Sequence, residues 1–118
     1  MSNHTITIYH NPACSTSRNA LAAICAAGYE PVIVEYLKTG WTKPQLQGLF
    51  AAAGLHAGQA LRLANSPAAA LGLTSENVTQ DQILDAMVQH PGLVQRPFVV
   101  SPKGTALCRP ADLVTALL

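Results

Sequence analysis

The chain has 118 residues, 49% of them hydrophobic and 11% charged, a mix that supplies a real core and excludes a disordered chain. Its formal net charge of +1 offers no basic field for nucleic acid or for an anionic membrane surface, so any anion site has to be local. The longest apolar stretch, Leu21 to Ala27, is too short to span a bilayer and the N-terminus lacks a signal-peptide pattern; with an odd set of cysteines, Cys14, Cys25 and Cys108, this predicts a cytoplasmic protein in a reducing compartment.

Taken in order, the alternating run Thr5-Ile6-Thr7-Ile8-Tyr9 predicts a strand, Asn11-Pro12 breaks it, and Leu21, Ile24, Cys25 and Gly28 mark one face of a following helix. Val32-Ile33-Val34-Glu35-Tyr36 predicts a second strand, parallel to the first because only a helix joins them, and Lys38 to Trp41 a loop. Thr42 can cap a helix with Leu46, Leu49, Phe50 and Ala53 inward and Gly54 as its stop. The signal then weakens: His56 to Ala64 is expected as a short helix, and Asn65-Ser66-Pro67 breaks it. Thr79-Gln80-Asp81-Gln82 has capping-box spacing ahead of Ile83, Leu84, Met87 and Val88, predicting a helix that ends near His90-Pro91-Gly92. Pro97 to Val100 and Thr105 to Cys108 around Ser101-Pro102-Lys103-Gly104 predict an antiparallel hairpin. Pro110 is expected as the first residue of a closing helix that turns Leu113, Val114, Leu117 and Leu118 inward. The order β-α-β, helical middle, β-β-α predicts a single α/β domain over 1–118, with a mixed four-stranded sheet, flanking helices and a mainly helical insertion at about 42–93.

The chemistry centres on Tyr9-His10-Asn11-Pro12-Ala13-Cys14-Ser15-Thr16-Ser17-Arg18. Cys14 falls just ahead of a helix, where free backbone N–H groups and the positive end of the dipole favour a thiolate. His10 and Ser17 are close enough in sequence to shape that thiolate, and Asn11 shares the loop. Cys25, beside Ile24, reads as core, and Cys108 as strand packing beside Arg109. Cys14 to Ser17 has redox Cys-x-x-Cys spacing with serine in the last place, so no vicinal disulfide forms there. Arg62 and Arg96 have no acid at helical pairing distance, as an oxyanion ligand would require, whereas Asp112 could pair with Arg109. His4, His56 and His90 are isolated and receive no role. No set of ligands has metal spacing and no nucleotide motif appears, so neither a metal nor a bound cofactor is expected.

The loop His10-Asn11-Pro12-Ala13-Cys14-Ser15-Thr16-Ser17-Arg18 resembles the His-Asn-Pro-x-Cys-x-x-Ser-Arg signature of the arsenate reductases linked to glutathione and glutaredoxin. His90-Pro91-x-Leu93-x-x-Arg96-Pro97, Val99-Val100 and Leu107-Cys108-Arg109-Pro110 are similar to the later motifs of that family, in order. The resemblance implies a thioredoxin-like (glutaredoxin-like) fold with a cis peptide before Pro97. It implies Cys14 as nucleophile and Arg62, Arg96 and Arg109 as oxyanion ligands, and Asn11 joins them as a candidate substrate contact. The implied partners are arsenate, glutathione as co-substrate and glutaredoxin, with reduction passing through a covalent cysteine-arsenate adduct. Two other readings stay open. One is a redox-sensing regulator that binds RNA polymerase on the related scaffold, against which Ser17 argues; the other is a monothiol oxidoreductase of glutathione mixed disulfides.

Overall fold

The structure, a computed structural model, describes residues 5–118; His4 lies outside the described residues. The chain divides into two compact units, Met1–Thr39 with Arg96–Leu118, and Gly40–Gln95.

In the first unit, strand β1 (Thr7–Tyr9) leads through a short loop into helix α1 (Ser15–Ala26), which returns the chain to β2 (Val32–Val34). A hairpin of β3 (Phe98–Ser101) and β4 (Gly104–Leu107) completes the sheet, in the order β2-β1-β3-β4. β1 runs parallel to β2, with Ile8 opposite Ile33, and antiparallel to β3, with Ile8 opposite Val99. A helix-linked parallel pair joined to an antiparallel hairpin is the mixed four-stranded sheet that the element order predicted, in the thioredoxin-like arrangement that the resemblance implied. Alternation through β1 and the residue before it sends Ile6 and Ile8 to one face. There they meet Val99, Ala20 and Ile24 of α1, and Val114 and Leu117 of a closing 3-10 helix (Ala111–Leu117). Full burial of each large side chain in this cluster contributes roughly 1.5–3 kcal/mol. Cys108 sits in the same cluster, fully buried, as strand packing predicted.

Several expectations need correction in this unit. Cys25 is exposed and not core. The buried residues of α1 are Ser17, Ala20 and Ile24, so the inward face is rotated from the one apolar spacing marks. Ser17 can take an inward position because its hydroxyl is hydrogen-bonded there. The second strand stops at Val34, whose carbonyl accepts from His10 N; the Glu35 carbonyl then accepts from the N–H groups of Lys38 and Thr39. Tyr36–Thr39 is therefore a single helical turn, α2, where Tyr36 was expected in a strand and Lys38 and Thr39 in a loop. Pro110 precedes the closing helix with extended backbone, and that helix is 3-10 throughout. With three residues per turn, Ala111, Val114 and Leu117 share a face and Leu113 points outward. The peptides Arg96–Pro97 and Arg109–Pro110 are both cis.

In the second unit, helices α3 (Lys43–Ala53) and α4 (Gln80–Gln89) each begin with the predicted box. The Thr42 hydroxyl accepts from Gln45 N and Thr79 from Gln82 N, with the glutamine side chains answering at the cap N–H groups. Gly54 ends α3 at φ 72, a left-handed conformation that glycine adopts without a Cβ penalty. Leu46, Leu49 and Phe50 of α3 and Ile83, Leu84 and Met87 of α4 are buried. On the surface, Lys43 bridges Asp81 and Asp85. The expected helix from His56 to Ala64 is absent. Reciprocal bonds between His56 and Gln59 close one turn, after which Leu61 forms an isolated bridge with Val94. Arg62 N donates to Leu93 O and Gln95 N to Ala60 O, so these backbone groups are spent across the bridge rather than along a helix.

Candidate active site

The site in the first unit is built on the loop between β1 and α1. Asn11 Oδ1 accepts from Ala13 N at 2.9 Å, and Asn11 O accepts from Cys14 N at 3.0 Å, which folds the loop into a tight turn. Cys14 is the N-cap of α1, with extended backbone at φ −96, ψ 121. Its sulfur thus stands over the first free N–H groups of the helix, as the sequence predicts.

Ser17 lies one turn in and is fully buried. Its Oγ accepts from Asn11 N at 3.1 Å and shares a 2.6 Å hydrogen bond with His10 Nδ1. This hydroxyl ties the end of β1, the loop and the helix together. His10 is itself buried; burial lowers its pKa, the Glu35 carboxylate raises it and the Arg18 guanidinium lowers it further, for a net downward shift. The ring is thereby biased toward its neutral form.

Two arginines reach the sulfur from the hairpin. Arg109 Nη1 lies 3.8 Å from Cys14 Sγ and donates to the Arg96 carbonyl at 2.9 Å. Burial pushes the Cys14 thiol up, but the Ser17 N–H, hydrogen bonds from Arg96 and Arg109, and the charge of Arg96 outweigh it and bring the thiol down from 9.0 to about 7. Cys108 shows the opposite balance: burial alone pushes it up to about 11. Of these two thiols, only Cys14 is poised as a nucleophile at neutral pH.

The structure brings His10, Asn11, Cys14, Ser17, Arg96 and Arg109 together. Arg62 belongs to the second unit, where Nη1 donates to Gln95 Oε1 at 3.1 Å and its carbonyl accepts from Ser66 Oγ at 2.6 Å. Asn11 spends its side-chain oxygen on its own loop. Arg109 does not pair with Asp112; its guanidinium goes to a main-chain carbonyl and the sulfur, and among the described residues it makes no ion pair with a carboxylate. Sequence spacing cannot find that carbonyl, because Arg96 and Arg109 meet only through the hairpin. Arg18 was also missed: it donates to Pro12 O at 2.8 Å, a contact that i,i+4 reasoning about acids does not see.

Elsewhere, a cleft of about 470 Å³ in the second unit, lined by Leu71, Leu73, Val78, Gln82, Asp85 and His90 among others, contains none of the predicted site residues. Among the described residues no group of His, Cys, Asp and Glu could hold a metal ion, and no helix is long and apolar enough to cross a membrane.

Residues 9–117 match the ArsC family. The chain is 60% identical to the arsenate reductase ArsI1 of Synechocystis sp., over all of this chain and 82% of that one. It is 48% identical to an arsenate reductase of Escherichia coli, over 96% of this chain and 80% of that one. A solved arsenate reductase structure from Vibrio cholerae superposes with a TM-score of 0.94 at 31% identity, covering 99% of this chain and 100% of that chain.

Proposed function

The chain belongs to the ArsC family, and from that premise we propose that it is an arsenate reductase, converting arsenate to arsenite through a covalent cysteine-arsenate intermediate with glutathione and glutaredoxin as reductants. The observation that carries this reading is the Cys14 thiol, brought down to about 7 with the guanidinium groups of Arg96 and Arg109 turned on its sulfur. A nucleophile and two guanidinium groups share one point.

Arg96 and Arg109 hold arsenate, with Arg62 assigned as a third oxyanion ligand on the family resemblance alone, while His10 and Ser17 maintain the thiolate environment. Asn11 supports substrate through the loop it shapes. The Cys14 thiolate attacks arsenic, an As–O bond breaks, and the departing oxygen is protonated and leaves as water; the arginines offset its charge as the bond breaks. The thiol of glutathione then displaces a second oxygen as water, giving arsenic bonded to both sulfurs. A glutaredoxin thiolate attacks the glutathione sulfur, and the pair of the S–As bond passes to arsenic, reducing it from the pentavalent to the trivalent state. Glutathione departs on glutaredoxin as a mixed disulfide. Water cleaves the remaining Cys14–arsenic bond, releasing arsenite and restoring the thiol. No bound cofactor enters; glutathione is a co-substrate, and the reducing cytoplasm supplies it.

The test is arsenite release from arsenate, with glutathione and glutaredoxin omitted in turn, for the wild type, Cys14→Ser and Arg62→Ala. Release is expected to need both thiol donors and Cys14. Arg62→Ala should raise the KM for arsenate roughly tenfold, the order expected for one lost charged hydrogen bond, while Cys14 alkylation stays unchanged. Wild-type release by Cys14→Ser overturns the mechanism, and release without glutaredoxin removes it as reductant.

A further inference from the structure

We infer that Arg18 is a positioning residue for the Cys14 thiolate, strapping the loop that carries the sulfur to the helix behind it. The inference rests on the reading of Cys14 as nucleophile and adds a residue to which that mechanism gave no part.

The loop is fastened at each of its residues by a different bond. Asn11 N is held by Ser17 Oγ, Ala13 N by Asn11 Oδ1 and Cys14 N by Asn11 O. Pro12 has no N–H to give, so its carbonyl is the one polar handle it offers. Arg18 Nη1 takes that handle at 2.8 Å. Arg18 follows Cys14 by one helical turn, and its own N–H donates to the Cys14 carbonyl at 3.0 Å. Side chain and main chain of one residue therefore hold both sides of the turn. Arg18 is exposed and, among the described residues, makes no ion pair, so its fork is committed to a neutral carbonyl and not to an acid.

The charged and titratable groups around the thiolate are Arg96 and Arg109 from the segments flanking the hairpin, His10 after β1, Glu35 after β2 acting on His10, and Arg18 on α1. Loss of the Arg18 cation and a slackened loop both disfavour the thiolate, the second because the Ser17 N–H and the two guanidinium groups no longer converge on the sulfur. Arg18 is exposed, so salt screens the first effect and leaves the second.

The experiment measures iodoacetamide alkylation of Cys14 in the full chain, from about pH 5.5 to about pH 9.5 and at about 0.5 M salt to screen through-space charge, in a Cys25→Ser background, for Arg18, Arg18→Ala and Arg18→Lys. Arg18→Ala should react roughly threefold more slowly below neutral pH and converge with the parent in alkali, where ionisation is complete, the size expected for one exposed hydrogen bond. Arg18→Lys, which keeps a donor, should recover most of the loss. An unchanged profile, faster reaction in acid, a deficit of equal size at every pH, or no recovery by lysine overturns the inference. The assay needs no oxyanion, so a chain that failed to reduce arsenate could still pass it.

Discussion

Arg109→Ala separates the cationic cradle from the helix as the source of Cys14 activation. Arg109 makes two contacts, one to Cys14 Sγ at 3.8 Å and one to the Arg96 carbonyl at 2.9 Å, and alanine removes both. With its thiol at about 7, Cys14 is about half ionised at neutral pH, whereas at 9.0 only about one molecule in a hundred would be. That interval is shared among the Ser17 N–H, Arg96 and Arg109, acting against burial. Removing Arg109 should return about one pH unit of it, which leaves roughly a tenth of Cys14 as thiolate at pH 7 and slows alkylation about fivefold. The midpoint is read from iodoacetamide rates across pH with Cys25 replaced by serine, since that thiol is exposed and would compete. Cys108, buried and held up to about 11, stays silent. A midpoint for Arg109→Ala coinciding with that of the parent would refute the reasoning and assign activation to the helix and Arg96 alone.

Two further outcomes concern stability. The Cys108 thiol is raised in the fold, so the stability it lends is fully present below its unfolded value of 9.0 and is lost as pH rises through about 11; denaturation midpoints should fall across that window, and Cys108→Ala, though less stable overall, should lose this part of the slope. Thr79→Ala removes the acceptor for Gln82 N and should cost about 1 kcal/mol in urea unfolding followed by the fluorescence of Trp41, the single tryptophan; a change near zero would mean that water replaces the cap fully.

The elements legible in the sequence are those whose signal is local. Thr42 with Gln45 and Thr79 with Gln82 bond within four residues, and Ser101 to Gly104 closes a hairpin between strands it adjoins. What was not legible depends on distant partners. Ser17 faces inward because His10 and Asn11 meet its hydroxyl, which displaces Cys25 to the surface. The chain leaves the helical path after Ala60 because Leu93 and Val94 wait across the bridge. At the site, residue types and the place of Cys14 at the helix start were readable. The partner of Arg109 was not, since a nearby aspartate is visible in sequence and a main-chain carbonyl across a hairpin is not.

That carbonyl has a consequence for how the protein can vary. The group that orients Arg109 is the backbone of Arg96, the other cation at the sulfur, so exchanging the Arg96 side chain leaves the brace in place. Inserting or deleting a residue between Arg96 and Phe98 shifts the brace and the first cation together, and withdraws both from Cys14 at once. Libraries of functional variants should therefore keep the length of this segment invariant.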